Sequence, residues 1–124
     1  MSVITLSSDY GNKDYFISSI KGYLCSNLES VKVIDISHNI TPFHLGECAY
    51  ILRNAYPHFP DKTVHIIGLD SEIKGEKKHI IAKVENQYFI GTDSGLFSLL
   101  FQNKKIEKII QVEFKNDIND STFP

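Results

Sequence analysis

Two aspartates each follow an apolar segment that predicts a β-strand. Asp9 lies in "SSDYGNKDYF", the segment after the apolar residues 3–6, and Asp70 is the last residue of "TVHIIGLD". Ligands of open α/β sheets bind beyond the carboxyl ends of the strands, so both carboxylates would face one crevice if these strands are neighbours. Such carboxylates can accept hydrogen bonds from a ribose diol, attract a cationic ligand or hold a metal ion. In the alternative interpretation, Asp9 or Asp14 caps a helix, and Asp9 and Asp70 are unrelated turn residues.

The turn after the first predicted strand has no glycine-rich phosphate loop. Neither the dinucleotide fingerprint nor the P-loop spacing is present there, and a carboxylate would repel phosphate. A second candidate is Phe43, in the predicted loop "HNITPFHL", where Pro42 restricts the preceding backbone. Phe43 is either an aromatic platform for a ligand beyond a strand end or a hydrophobic staple for the next helix.

The hydrophobic patterns alternate between strands and helices and predict an α/β protein, a three-layer sandwich with a mostly parallel central sheet. Helix 14–28 is expected to pack through Phe16, Ile20, Leu24 and Leu28, with Lys21 facing away. The other predicted elements are strand 31–37, helix 45–56, strand 63–70, a hairpin of 79–84 and 87–91 turning at residues 85–86, a helix of two or three turns capped by Asp93, and strand 106–114.

Composition excludes several classes of protein. The 124 residues fit one domain, and a net charge of −2 from 13 basic and 15 acidic residues gives no footprint for nucleic acid or an anionic membrane. No apolar run approaches the ~20 residues of a membrane span, and the start lacks a signal peptide, so a cytoplasmic protein is expected. Cys25 and Cys48 are predicted to be reduced and partly buried, and the five histidines lack the spacing of a structural metal site.

Five segments in a fixed order indicate a protein family more specifically together than any one of them does alone. They are "ITLSSDYGNKDYF", "VIDISHNITPF", "VHIIGLD" with a basic pair after it, "FIGTDSGLFSLL" and "STF". In this order they resemble the N-terminal domain of the S-adenosylmethionine hydroxide adenosyltransferases, relatives of fluorinase and chlorinase. The resemblance implies that S-adenosylmethionine is cleaved at the ribose 5′ carbon by water, giving adenosine and methionine, with no further cofactor. It also implies a homotrimer, and that residues 1–124 are an incomplete N-terminal α/β domain without the C-terminal β domain.

The resemblance also implies roles for individual residues. Asp9 would grip both ribose hydroxyls, Phe43 would pack beside the ribose, and Phe123 would form another pocket wall. Asp70 would orient the attacking water, with Lys77 as its cationic partner.

The sequence departs from the family pattern in three places. The usual "DPGVG" is "DSEIK" here, the arginine position holds Lys77, and Pro124 replaces the histidine expected after Phe123. Lysine keeps the positive charge but loses the bidentate fork of arginine.

The chemistry of Asp70 favours water as the nucleophile. An anionic carboxylate would repel a halide ion but could accept a proton from water, and the halide enzymes of the family carry tyrosine at this position. The altered positions leave a second hypothesis, a degenerate family member that binds the nucleoside with little turnover. A third hypothesis, from the two aspartates alone, is a metal-dependent phosphoryl enzyme that Mg²⁺ would activate.

Overall fold

The computed structural model describes residues 2–11, 15–69 and 78–112. Along the chain, the elements are β1 (Ser2–Ser8), α1 (Phe16–Asn27), β2 (Val31–Ser37), α2 (Leu45–Ala55), a 3₁₀ turn (Tyr56–His58), β3 (Val64–Gly68), β4 (His79–Val84), β5 (Gln87–Thr92), α3 (Leu96–Leu100) and β6 (Lys108–Val112). None of the described helices is long and apolar enough to cross a membrane.

The strands form one sheet in the order β2-β1-β3-β5-β4-β6. Strand β1 pairs in parallel with β2 and β3, and β3 pairs in parallel with β5. Strand β4 is antiparallel to both β5 and β6. The predicted α/β class with a mostly parallel central sheet is therefore confirmed.

The β4–β5 hairpin also forms as predicted. Val84 pairs with Gln87, and the two residues between them, Glu85 and Asn86, have φ angles of 50° and 63°. Two left-handed residues give the backbone twist that a two-residue hairpin turn needs.

Consecutive residues of β2 show that helices cover both faces of the sheet. The Asp35 carboxylate pairs with Lys21 of α1, whereas the next side chain, Ile36, packs against the core that contains Cys48 and Leu52 of α2. Successive side chains of a strand point to opposite faces, so α1 and α2 lie on opposite sides. These three layers are those predicted.

The main hydrophobic core lies between the sheet and the layer of α2 and α3. As predicted, α2 buries Cys48, Ala49 and Leu52, and Tyr56 follows them into the same core. The other side chains of this core come from the sheet, from α3 and from two loops: Ile40, Ile67, Leu69, Ile80, Ala82, Val84, Phe89, Leu96, Phe97, Leu100 and Phe101.

Helix α1 packs only partly through the predicted face, since Ile20 and Leu24 are half-buried as predicted but Phe16 and Leu28 are not. Phe16 and Leu28 are 46% and 44% exposed, and the stripe that faces the sheet is Ile17, Ile20, Lys21 and Leu24. The prediction failed in part because it treated Lys21 as a solvent residue. The aliphatic stem of a lysine can cover apolar surface while its ammonium group reaches a carboxylate, here that of Asp35.

Two further predictions need correction. Helix α3 has only five residues, and its N-cap is Gly95 with φ 91°, not Asp93, because this left-handed residue separates Asp93 from the helix. Both cysteines are free, but only Cys48 is buried, and Cys25 is exposed because it lies beside the packed stripe of α1.

A buried chain of polar groups crosses the sheet on its α2 side. Thr5 Oγ1 lies 2.6 Å from Nδ1 of His65, and Nε2 of His65 lies 2.6 Å from Oε1 of Gln87. The amide of Gln87 donates to the carbonyls of Tyr56 and Phe59, so its oxygen is left to accept. His65 is therefore neutral, with the proton on Nε2, and Thr5 donates to Nδ1.

Burial lowers the pKa of His65, and the hydrogen bond with Gln87 offsets this only in part. Because the folded pKa lies below the unfolded value of about 6.5, the unfolded chain binds the extra proton first as the pH falls. The contribution of His65 to stability is complete above pH ~6.5 and is lost below it, by at most about 1.4 kcal/mol per pH unit.

We therefore expect the free energy of unfolding to fall between pH 7 and pH 5 more steeply in the parent chain than in His65→Asn, which cannot take up this proton. Urea unfolding followed by circular dichroism measures both slopes. His58→Asn is the matched control, because His58 is exposed, and it should keep the parent slope. Equal slopes in the parent and His65→Asn would contradict the assignment.

Candidate functional site

The carboxyl ends of β1, β2, β3 and β5 meet at one edge of the sheet, because these strands are parallel. Asp9 follows the last residue of β1, and Leu69, the last described residue after β3, precedes Asp70. Strands β1 and β3 are neighbours with the same direction, which meets the condition for a shared crevice at this edge. Asp70, Lys77 and Phe123 themselves lie outside the described residues.

The turn that carries Asp9 is fixed by backbone hydrogen bonds to two other segments. The Asp9 N–H donates to the carbonyl of Gly68 on β3 over 3.3 Å, and the Gly11 N–H donates to the carbonyl of His38 after β2 over 2.7 Å. Gly11 has φ 75°, a conformation that glycine adopts without strain. Asp9 is half-buried at this position.

The helix-cap interpretation of Asp9 is wrong. The N-cap of α1 is Tyr15, six residues further along the chain, and it makes no side-chain cap hydrogen bond. Asp14 lies outside the described residues. Asp9 is therefore held at the sheet edge by its turn and not by the start of a helix.

The ring of Tyr10 lies against β3 at Gly68. A Cβ atom built on Gly68 would come within 2.9 Å of the Tyr10 hydroxyl and 3.3 Å of its Cζ atom. A side chain at residue 68 would therefore require this ring to move. Gly68 therefore contributes to the turn in two ways, because it leaves space for Tyr10 and its carbonyl accepts from the Asp9 N–H.

Sequence reasoning missed a hydrogen-bonded chain directly before Asp9. Ser8 Oγ lies 2.6 Å from Nδ1 of His38, Nε2 of His38 lies 2.7 Å from Oδ1 of Asp35, and the other oxygen of Asp35 pairs with Lys21. Ser8 and His38 are each 3% exposed. The one local signal was an aspartate and a histidine three residues apart across the end of β2.

The Asp35 carboxyl remains ionised near neutral pH. Its partial burial raises its pKa, but the hydrogen bonds and charges of Lys21 and His38 outweigh burial and hold the pKa below its ordinary value. An ionised carboxylate only accepts hydrogen bonds, so it fixes the proton of His38 on Nε2.

Phe43 lies in the loop after β2 and projects into solvent. Its side chain is 79% exposed, so the alternative in which it staples the next helix is wrong. Instead, the start of α2 is capped by His44, whose Nδ1 accepts from the Glu47 N–H over 2.9 Å. Phe43 also has φ 63°, which is unusual for a bulky side chain and strains the backbone.

The turn between β5 and α3 forms a further part of this edge. The hydroxyls of Thr92 and Ser94 are buried there and have no hydrogen-bond partner in the part of the chain that the structure describes. They line a cavity of about 100 Å³, and a second cavity of about 150 Å³ lies beside Arg53 and Tyr56. Both are smaller than the roughly 300–1,000 Å³ of typical small-molecule sites.

Comparison with known proteins identifies the family. Residues 4–124 match the family model described as the SAM hydroxide adenosyltransferase N-terminal domain. The (R)-S-adenosyl-L-methionine hydrolase of Methanocaldococcus jannaschii is 33% identical over 128 residues, which cover 99% of this chain and 48% of that protein. The enzyme of the same name from Thermus thermophilus is 28% identical over 99 residues, which cover 80% of this chain and 38% of that protein. A fluorinase from an Actinoplanes species is 31% identical over 62 residues, which cover 50% of this chain and 21% of that protein.

Solved structures share the fold. A conserved hypothetical protein from Thermus thermophilus superposes with a TM-score of 0.80 at 25% identity, covering 91% of this chain and 47% of that one. An uncharacterized conserved protein from Thermotoga maritima superposes with a TM-score of 0.82 at 26% identity, covering 89% of this chain and 42% of that one. The chain spans about half the length, or less, of these proteins. The matched segment begins within β1 and ends at residue 124, and it corresponds to the N-terminal domain of the family. The chain therefore belongs to the SAM hydroxide adenosyltransferase family.

Proposed function

We propose that this chain supplies the ribose-binding and water-orienting part of an S-adenosylmethionine hydrolase. The observation that carries the proposal is the position of Asp9, whose turn is fixed by two backbone hydrogen bonds at the shared carboxyl edge of parallel strands. Relatives at 33% and 28% identity are named (R)-S-adenosyl-L-methionine hydrolases, which supports the same chemistry here.

In the proposed reaction, the oxygen of water attacks the ribose 5′ carbon as the bond from this carbon to sulfur breaks. The electron pair of that bond goes to sulfur, which leaves as the neutral thioether of methionine, and the loss of a proton from the attacking water leaves adenosine as the other product. A sulfonium is already a good leaving group, so the reaction needs neither a metal nor a redox cofactor. The protein has to align water, carbon and sulfur and to exclude other water.

We assign the site residues as follows. Asp9 accepts hydrogen bonds from both ribose hydroxyls, because an ionised carboxylate has two acceptor oxygens for a vicinal diol. Phe43 packs beside the ribose, and Phe123 forms another wall. Asp70 orients the water and accepts its proton, with Lys77 as a cationic partner.

We also propose that the working enzyme is a cytoplasmic homotrimer in which a further β domain closes the site. Cavities of about 100 and 150 Å³ among the described residues support this proposal, since neither encloses a nucleoside. The additional length of the relatives, of which this chain matches 48% and 38%, is where such a domain would lie. Sedimentation of the full-length protein tests the trimer.

Asp9→Ala should weaken adenosine binding, because the ribose diol loses its charge-assisted partners, at about 1.5–3 kcal/mol for each such bond. Titration calorimetry at pH 7.5 measures the affinity. Asp61→Ala is the matched control, since Asp61 is an exposed aspartate in the turn before β3. Unchanged affinity in a folded Asp9→Ala protein would remove Asp9 from the site.

Phe43→Asn should separate binding from stability. Asparagine tolerates the left-handed backbone better than phenylalanine, so the free energy of unfolding should rise by up to about 1 kcal/mol, while adenosine affinity falls. Tyr50→Asn is the control, because Tyr50 is a similarly exposed aromatic in the regular backbone of α2 and should gain no stability. A Phe43→Asn protein that binds adenosine as tightly as the parent would exclude Phe43 from the pocket.

Asp70→Asn should lower turnover much more than binding, because its role lies in the chemical step. The assay incubates each protein with S-adenosylmethionine in water, chloride or fluoride and separates the products. The M. jannaschii relative is the positive control. We expect adenosine under all three conditions. A 5′-halogenated nucleoside as the main product, or full turnover by Asp70→Asn, would refute the assignment of water and Asp70. Binding without any turnover would instead favour the degenerate family member.

A further inference from the structure

The chain of side chains that ends at Ser8 is built like a brace across three elements. It runs from Ser8 at the end of β1, through His38 after β2 and Asp35 within β2, to Lys21 on α1. Ser8 and His38 are buried, whereas Asp35 and Lys21 are partly exposed. The brace therefore connects α1 to the residue directly before Asp9.

The hydrogens of this brace can be assigned. Ionised Asp35 can only accept, so Nε2 of His38 carries a proton and donates to it over 2.7 Å. Nδ1 of His38 and the Ser8 hydroxyl share a second hydrogen over 2.6 Å. Ser8 Oγ also accepts from the Tyr10 N–H over 3.3 Å. The brace thus reaches past Asp9 and holds the backbone on its far side.

His38 also fixes the turn through its main chain. Its carbonyl accepts from the Gly11 N–H over 2.7 Å, and the Ile40 N–H, two residues later, donates to the carbonyl of Ser8 over 3.4 Å. Residues on both sides of Asp9 are therefore tied to the segment around His38. The same segment continues to Phe43, the other described candidate residue.

We propose that His38 is a positioning residue that sets the geometry of the Asp9 turn and couples it to the loop of Phe43. This inference rests on the proposed function for its ligand. The sequence of groups is that of a serine nucleophile, a histidine and an aspartate, but Ser8 and His38 are 3% exposed and Ser8 Oγ is already engaged by Tyr10. The brace acts on the substrate through Asp9 and does not touch it.

The test compares variants that break the brace with a variant that breaks a similar buried chain elsewhere. His38→Ala and Asp35→Ala break it, whereas Asp35→Asn keeps an acceptor oxygen for Nε2 of His38. Thr5→Val is the matched control, because it removes the 2.6 Å bond to His65, which lies within the sheet and away from its carboxyl edge. All proteins are compared at a temperature where thermal unfolding shows each to be folded.

The first readout is adenosine affinity by calorimetry. We expect His38→Ala and Asp35→Ala to weaken binding at least tenfold, Asp35→Asn to restore it to within about threefold of the parent, and Thr5→Val to leave it within twofold. A brace that only stabilises the fold would lower the melting temperature in His38→Ala and Thr5→Val alike without this difference in affinity, and that result would overturn the proposal.

The second readout needs no ligand. In ¹⁵N spectra, the ring of His38 should show its proton on Nε2 and the hydrogen bond to Nδ1, and the Gly11 amide should exchange slowly with solvent. His38→Ala should shift the Asp9 and Gly11 amide signals and speed Gly11 exchange at least tenfold, whereas Thr5→Val should not. If these changes occur but the parent does not bind adenosine, the proposed function fails and the brace stands. Unchanged Asp9 and Gly11 signals in both His38→Ala and Asp35→Ala would refute the brace.

Discussion

The parallel pairing of β1 between β2 and β3 is the constraint on which the rest of the structure depends. It brings the carboxyl ends of three strands to one edge and places Asp9 between the backbone of Gly68 and that of His38. A slip of one residue in β1 would turn every side chain to the opposite face, so Thr5 would lose His65 and Ser8 would lose His38. The two buried hydrogen bonds therefore specify the register as well as stabilising it.

Strand β1 makes the same kind of hydroxyl–histidine hydrogen bond to both neighbouring segments, but the group that accepts from each histidine differs. Thr5 and Ser8 each place a hydroxyl 2.6 Å from Nδ1 of a buried histidine, one in β3 and the other after β2. Behind His65 the acceptor is the amide of Gln87, which is 4% exposed, whereas behind His38 it is the carboxylate of Asp35, which is 36% exposed on its side chain. Burying an ion costs far more than burying a satisfied amide, so the charged partner occurs only where water and Lys21 reach it.

Patterns that are local in sequence predicted the fold well. The strands, the hairpin at Glu85 and Asn86 and the packed face of α2 all follow from short-range periodicity and turn chemistry. The predicted face of α1 was wrong in part because Lys21 pairs with Asp35 on the sheet, an aspartate fourteen residues away. The brace was missed for the same reason, since Ser8 and His38 are thirty residues apart and only the fold joins them. Asp9 was proposed as a site residue from its place after a strand, whereas Phe43 needed the family resemblance to favour one of two interpretations.

In the proposed reaction, the relative sizes of two catalytic effects would make the geometry of the Asp9 turn matter more than the altered residues assigned to the attacking water. General-base help contributes typically ~10²- to 10⁴-fold, which is roughly 3 to 5 kcal/mol, whereas holding reactants in line contributes ~7 to 11 kcal/mol. With a sulfonium leaving group, the proposal would have Lys77 in place of arginine and Pro124 in place of histidine act only on the smaller effect. The larger one depends on groups that hold the ribose in a fixed place. Under the proposal, the fold would provide for this with Gly11 in its left-handed turn, Gly68 without a side chain beneath Tyr10, and a histidine hydrogen-bonded to a third element. A chain with these features would keep the part of the proposed site that contributes most to the rate while its proton-accepting groups vary.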